Sequence, residues 1–346
     1  MKVLFWGTPA YAVPSLDALV AAGHQLVGVV SQPDRRRGRG KELLPSPVKA
    51  RAHELGLAVF TPERIRRDPE CQQQLAALGA DVSVVVAFGQ ILPPEVLAQP
   101  PLGCWNGHGS LLPRWRGAGP IQWSLIAGDR QTGVGIMAME PGLDTGPVLM
   151  EQAIPIGLLE NAQTLGQRLS QLTAELFVQA LPRIEAAGPG PEPERLQRLG
   201  VRVQGDEGLT LARLLTKDDF SIDWSQPGLA IHRNVMGLYP GAVSSWQGKR
   251  LKLLATEPLV RRLADQLSPE GSALAARWGL TDATADPPGP PGTVLAIEPD
   301  HGLVIASGGC PLLLREGQLE GKRACSGQTL IQQLGAAAGD RLGATA

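Results

Sequence analysis

Lys2-Val3-Leu4-Phe5-Trp6-Gly7-Thr8-Pro9 opens the chain with a short apolar run that stops on a turn. What comes after it decides the fold. A helix-like stretch from Val13 to Ala22 leads to a β-branched run, Gln25–Val30, then to a helix from Ser46, a strand at Ala58–Phe60 and another at Asp81–Phe88. Strands that alternate with helices in this way read as a parallel α/β sheet. Ser46-Pro47 marks a helix start, because serine can accept from orphan amides and proline at the first helical position gives up no hydrogen bond.

The alternation continues with strand signals at Gly103–Asn106 and Val134–Met139, a helix around Ala118–Ile126 between them, and a long helix from about Asn161 to Glu185. Gly188-Pro189-Gly190-Pro191-Glu192-Pro193 has the composition of a stiff, solvated linker. Beyond residue 208 the rhythm changes to short strands broken by turns, such as Gly241–Trp246, Leu251–Ala255, Gly292–Ile297, Leu303–Ala306 and Pro311–Arg315, which suits a small β-barrel. The reading is therefore a Rossmann-like parallel-sheet domain over 1–186, a linker over 187–207, and an OB-like β-barrel domain over 208–346. A surface insertion at about 263–291 interrupts the barrel.

A chain of 346 residues exceeds what one core usually organises, so two domains fit its length. The apolar share of 43% against 19% charged is that of a soluble globular protein. Val82–Phe88, the longest apolar stretch, is far too short to span a bilayer, and no signal-peptide core precedes it, so no membrane contact is expected. Cys71, Cys104, Cys310 and Cys325 form no C-x-x-C pair, which fits neither a disulfide framework nor a zinc knuckle and points to a reducing cytoplasm. With 32 basic and 33 acidic residues the net charge is −1, so any nucleic-acid contact must rest on local basic patches.

Cys104-Trp105-Asn106-Gly107-His108-Gly109-Ser110-Leu111-Leu112-Pro113 lies at the end of a predicted parallel strand, where open α/β sheets bind ligands. On an extended backbone Asn106 and His108 project to one side, with Gly107 and Gly109 leaving room for a substrate. A second element, Met139-Glu140-Pro141-Gly142-Leu143-Asp144-Thr145-Gly146-Pro147, also follows a predicted strand, so Asp144 can reach the same sheet edge. Taken singly, each reads as turn chemistry: local hydrogen bonds for Asn106 and His108, a β-turn carboxylate for Asp144. Arg35-Arg36-Arg37-Gly38-Arg39-Gly40-Lys41 packs five cations into a loop directly after a strand end, which can grip phosphates or remain a solvated face. His24, His53, His232 and His301 lack ligand-like spacing and read as surface or loop residues; no metal is expected.

Together the two elements resemble the folate-dependent formyltransferase family, whose catalytic asparagine, histidine and aspartate fall here on Asn106, His108 and Asp144. Ser110-Leu111-Leu112-Pro113-Arg114-Trp115-Arg116-Gly117-Ala118, Gln32-Pro33-Asp34, Gly38-Arg39-Gly40-Lys41 and Pro45-Ser46-Pro47-Val48-Lys49 are similar to motifs of the branch that acts on methionyl-tRNA. The likeness spans residues 1–180, with weaker similarity around Ile222-Asp223-Trp224 and Tyr239-Pro240-Gly241-Ala242. The chain departs from the family at Gly107, where a larger apolar residue is usual, and at Gly109, where alanine is; both glycines are expected to loosen the strand end.

The resemblance implies transfer of a formyl group from 10-formyltetrahydrofolate to the amino group of methionyl-initiator-tRNA. It places the folate against Ser110, Leu111, Leu112 and Pro113 and against Phe88, Gly89, Gln90, Ile91 and Leu92. Arg35, Arg36, Arg37, Arg39 and Lys41, with Arg114 and Arg116 beside Trp115, are expected to meet the tRNA, Arg39 reaching its acceptor end; for Arg114 and Arg116 a structural salt bridge is an equal reading. The barrel domain is implied to hold the tRNA, and a monomer is expected. Two rivals stay open: a formyltransferase with the same three residues acting on a small amine, and a non-catalytic RNA-binding α/β protein, which the absence of G-x-G-x-x-G after the first strand does not favour as a nucleotide binder.

Overall fold

Strand β1 (Lys2–Gly7) is buried along all but its first residue, as an apolar run in the middle of a covered sheet must be. A computed structural model of the chain describes residues 1–37, 42–280 and 288–343, and the backbone alone of Arg37. After β1 the chain continues as helix α1 (Val13–Ala21), β2 (Gln25–Val30), α2 (Pro47–Glu54), β3 (Val59–Phe60), α3 (Pro69–Ala77), β4 (Val82–Val86), the single turn α4 (Pro94–Leu97) and β5 (Cys104–His108). Each of these helices carries proline in its first turn. Ser46 caps α2 by accepting from the Lys49 amide at 3.0 Å, and Asp68 caps α3 by accepting from the Cys71 amide at 3.0 Å.

Two further strands, β6 (Gln131–Ala138) and β7 (Val148–Pro155), complete a seven-stranded sheet of order β7-β6-β5-β4-β1-β2-β3. The strands from β3 to β5 pair in parallel, with β1 between β2 and β4. β6 runs antiparallel to β5, with Trp105 opposite Ala138 and His108 opposite Gly135. The sheet is therefore mixed rather than all parallel. After β5 the chain passes helix α5 (Pro120–Ala127) and re-enters the sheet from the end where β5 stopped, so no crossover returns it to the other end.

Helix α6 (Ala162–Ala187) buries Leu169, Leu176, Phe177, Ala180, Leu181 and Ile184 at helical spacing. The stretch read as a stiff linker differs from that reading. The chain turns at Gly188, with φ 70°, and starts helix α7 (Glu192–Leu199) after Pro191, placing Pro193 in the first turn where a missing amide costs nothing. Gly200, at φ 63°, ends it in the left-handed conformation.

Contacts divide the chain into two units, Met1–Pro120 with Gln131–Ile154 and Gly166–Arg213, and Ile121–Arg130 with Pro155–Leu165 and Leu214–Ala346. The second is built on an antiparallel sheet. Helix α8 (Gly228–Gly237) precedes β8 (Val243–Trp246) and β9 (Lys249–Pro258); helix α9 (Pro269–Trp278) precedes β10 (Val294–Glu298), β11 (Gly302–Ile305), β12 (Leu312–Leu319) and helix α10 (Gly327–Leu334). Strand order is β8-β9-β12-β11-β10. Leu342 bridges Trp246 beside one edge strand and Arg341 bridges Thr293 beside the other, so the chain at 341–342 joins the two edges in the manner of a small barrel. Trp246, Leu251, Leu253, Leu303, Leu312 and Leu314 fill its core with Ile231 and Val235 of α8.

The helical half of the expected insertion is docked onto this sheet. Leu274 and Ala275 of α9 pack with Leu259, Val304 and Leu313, and the buried Glu257 carboxylate accepts from Ser268 at both N (2.9 Å) and Oγ (2.8 Å) while pairing with Arg315. Residues 281–287, in the Pro/Gly-rich half, lie outside the described residues. Among the described residues no helix is long and apolar enough to cross a membrane.

Candidate active site

β5 ends on Asn106, half-buried, and His108, 6% exposed, two residues apart and hence on one face. The Asn106 carboxamide has no hydrogen bond among the described residues, so its two N–H groups are available to a ligand. Gly107 between them has no room for a side chain: a Cβ there would lie 2.5 Å from Thr173 Cγ2 and 2.8 Å from Phe177 Cε2, both on α6. The looseness expected of this glycine is thus answered by α6, whose Thr173 also hydrogen-bonds the buried Tyr11 hydroxyl at 2.9 Å. Burial pushes that phenol up to about 12 and, at the start of β5, the Cys104 thiol up to about 12.

The His108 ring is hydrogen-bonded on one side and faces a carboxylate on the other. Nε2 lies 2.9 Å from the Trp115 carbonyl, which can only accept, so this nitrogen carries a proton. Nδ1 lies 3.6 Å from Asp144 Oδ2, beyond hydrogen-bond length. Asp144 sits at φ 52°, and its Oδ2 accepts from the Gly117 amide at 2.8 Å. The structure therefore brings Asn106, His108 and Asp144 to one sheet end, with Nδ1 and the carboxylate facing each other across a short gap.

Much of the two segments assigned to the folate is buried. Ser110 Oγ donates to the Arg114 carbonyl at 2.6 Å, Leu112 is buried, Leu111 and Pro113 are half-buried, and the Leu112–Pro113 peptide is cis. Phe88 and Leu92 belong to the core, Phe88 edge-on to Trp6 at 5.2 Å, and Gln90 is spent on the Pro62 carbonyl and the Ile65 amide. Ile91, 71% exposed, and Gly89, at φ 85°, are what this stretch presents outward. A cleft of about 290 Å³ opens beside it, lined by Thr8, Gln32, Arg35, Ser46, Phe88 and Gly89. It lies where chain order reverses between β1 and β4, the switch point at which α/β sheets bind ligands.

Of the basic residues, Arg35 and Arg36 are exposed on a short ribbon pairing Arg35–Arg37 with Glu42–Leu44. Arg39, Lys41 and the Arg37 side chain lie outside the described residues. Arg114 stacks its guanidinium 4.5 Å from the Trp115 ring, and Arg116 Nε donates to Gln204 Oε1 at 3.0 Å. Residues 202–212, read as linker and barrel, were given no role by sequence reasoning, yet Gln204 and Thr210 bond directly to the loops that carry Asp144 and Trp115. No local motif marks them.

In the second unit a cleft of about 670 Å³ is edged by Arg130, Arg233 and Arg262. Among the described residues none of the three is paired with a carboxylate. His232, read as a surface residue, is instead buried beneath it, with Nε2 2.8 Å from the Leu158 carbonyl and Nδ1 3.0 Å from Thr256 Oγ1. It falls on the inward face of α8, which a spacing search for metal ligands does not test. Among the described residues no cluster of His, Cys, Asp and Glu is arranged to hold a metal ion.

Residues 1–181 match the Formyl transferase family and residues 214–335 match Formyl transferase, C-terminal domain. A methionyl-tRNA formyltransferase of Synechococcus sp. (strain RCC307) is 71% identical over 337 residues, 96% of this chain and 100% of that protein. The chain belongs to the methionyl-tRNA formyltransferase family. A second methionyl-tRNA formyltransferase, from Synechococcus sp. (strain WH7803), is 68% identical across 100% of the chain and 99% of its own length. Among solved structures, an N-formyltransferase from Helicobacter canadensis, in complex with folinic acid and dTDP-3-aminofucose, has the same fold at 14% identity and TM-score 0.61, covering 91% of this chain and 98% of that one. HypX from Aquifex aeolicus in complex with tetrahydrofolic acid overlaps 98% of this chain and 48% of its own, at 16% identity and TM-score 0.56. As a methionyl-tRNA formyltransferase by family, the chain is a formyl-transferring enzyme.

Proposed function

We propose that the enzyme transfers the formyl group of 10-formyltetrahydrofolate to the free amino group of methionyl-initiator-tRNA in the cytoplasm, and that Asn106, His108 and Asp144 do the work. The observation that carries this reading is the His108 ring fixed through Nε2 on the Trp115 carbonyl, so that Nδ1 faces the Asp144 carboxylate with Asn106 alongside. When bound, the folate supplies an activated formyl carbon; exposed Ile91, left-handed Gly89 and half-buried Leu111 and Pro113 offer an apolar wall that fits a flat pterin.

The chain's groups then cover each charge change of acyl transfer. Asn106 donates to the formyl oxygen as it gains negative charge, worth about 3 kcal/mol for donors of this kind. His108, its Nε2 turned to the Trp115 carbonyl, takes the attacking amine's proton at Nδ1 and returns it to the folate nitrogen that departs with the C–N electron pair. Asp144 stabilises the imidazolium in between. For the tRNA, Arg35 and Arg36 supply cations at the site end of the first unit, and Arg130, Arg233 and Arg262 supply a second seat for phosphates.

Incubating the protein with 10-formyltetrahydrofolate and charged initiator tRNA should yield formylmethionyl-tRNA, and His108→Ala should abolish it. Turnover confined to a small amine would keep the chemistry and discard the substrate. Tight RNA binding without turnover or folate binding would revive the non-catalytic reading.

A further inference from the structure

The segment that follows α7 returns to the sheet end that carries the site and bonds to both sides of the His108–Asp144 pair. Gln204 spends both amide hydrogens on the acid's loop, donating to the Asp144 carbonyl at 2.9 Å and the Gly146 carbonyl at 2.6 Å, and its Oε1 accepts from Arg116. Thr210 Oγ1 accepts from the Trp115 amide at 2.9 Å, and the Thr210 carbonyl from the Arg116 amide at 3.0 Å. Ala212 accepts from the Ala118 amide at 2.8 Å, and Gly117, whose amide holds the Asp144 carboxylate, lies so close to the Ala212 carbonyl that no Cβ would fit.

Two things make this more than packing. Asp144 holds a left-handed backbone, φ 52°, which few non-glycine residues adopt and which the bonds of its loop hold in place. Gln204 is what grips the carbonyl of that residue. The ring side depends on the same strand of chain, because the carbonyl that fixes His108 Nε2 belongs to Trp115, whose amide Thr210 holds.

We propose that Gln204 is a positioning residue for Asp144, and that residues 202–212 form one frame setting the acid–imidazole separation; this rests on the reading of Asp144 as the partner of His108. The frame acts on transition-state geometry and leaves substrate binding alone, since Gln204 turns its polar atoms toward the protein's own loops.

The test measures kcat, KM for both substrates and thermal melting in Gln204→Met, Gln204→Glu, Asp144→Asn and the Asp144→Asn/Gln204→Met double variant. Methionine keeps the volume and removes the donors. Glutamate keeps the acceptor for Arg116 but turns an anion toward two carbonyl oxygens. Both variants should lower kcat by about 10-fold or more with either KM within about 2-fold, because misplacement rather than lost contact is at stake. In the double variant the second change should lower kcat no further than Asp144→Asn alone. A wild-type kcat in Gln204→Met beside a crippled Asp144→Asn overturns the proposal and leaves the site reading standing. So does a multiplicative double variant, or a kcat loss that follows the melting temperature. Full activity in Asp144→Asn overturns the site reading itself.

Discussion

Gly107 shows why a residue's neighbours matter more than its type. The backbone freedom that glycine brings is removed by Thr173 and Phe177 of α6, which occupy the place of the missing side chain. Gly107→Val should therefore destabilise the protein by about 1–3 kcal/mol in urea unfolding, the usual cost of overpacking. Combining it with Phe177→Leu should return part of that loss, and strictly additive energies would show that the two positions do not share space. At Asn106 the change is chemical: Asn106→Ala should lower kcat about 100-fold with little effect on melting, because its carboxamide bonds to nothing that holds the fold.

At the scale of elements, the α/β alternation, the cap at Ser46 and the strand ending on Asn106 and His108 were legible because each is a local pattern. The reversal of β6 and the return of residues 202–212 were not, since strand direction and side-chain bonds that span 58 to 95 residues leave no periodic mark on the sequence. Helix α7 was hidden by its own prolines, which forbid a helix interior but suit a helix start. Asp144 was placed by resemblance rather than by spacing: nothing in Asp-Thr-Gly says which histidine it faces. The arginine cleft is likewise assembled from separate stretches, Arg130 before β6, Arg233 on α8 and Arg262 ahead of α9. Changing each of these arginines to glutamate should raise KM for charged tRNA several-fold at unaltered kcat and flatten the salt dependence of tRNA binding, measured by fluorescence anisotropy. Unchanged affinity at every salt concentration would remove the cleft from the tRNA surface.

For the whole molecule, stability carries a signature from His232. Burial pushes its imidazole down to about 4 from 6.5. The unfolded chain therefore takes up this proton at higher pH than the folded one, so stability is indifferent to the group above pH 6.5 and falls as pH drops from 6.5 towards 4. The slope should approach about 1.4 kcal/mol per pH unit in urea unfolding of the full chain, and His232→Gln should lack it.

The division of the chain has a further consequence for heredity. The backbone passes between the two units at 120/121, 130/131, 154/155, 165/166 and 213/214. A gene spliced anywhere between codons 120 and 214 thus divides coding sequence for at least one unit on either side of the joint, and often for both. A barrel exchanged at a joint in this stretch leaves Ile121–Arg130, and past codon 165 also Pro155–Leu165, on the other piece, so the incoming barrel would have to be refitted to segments it did not evolve with.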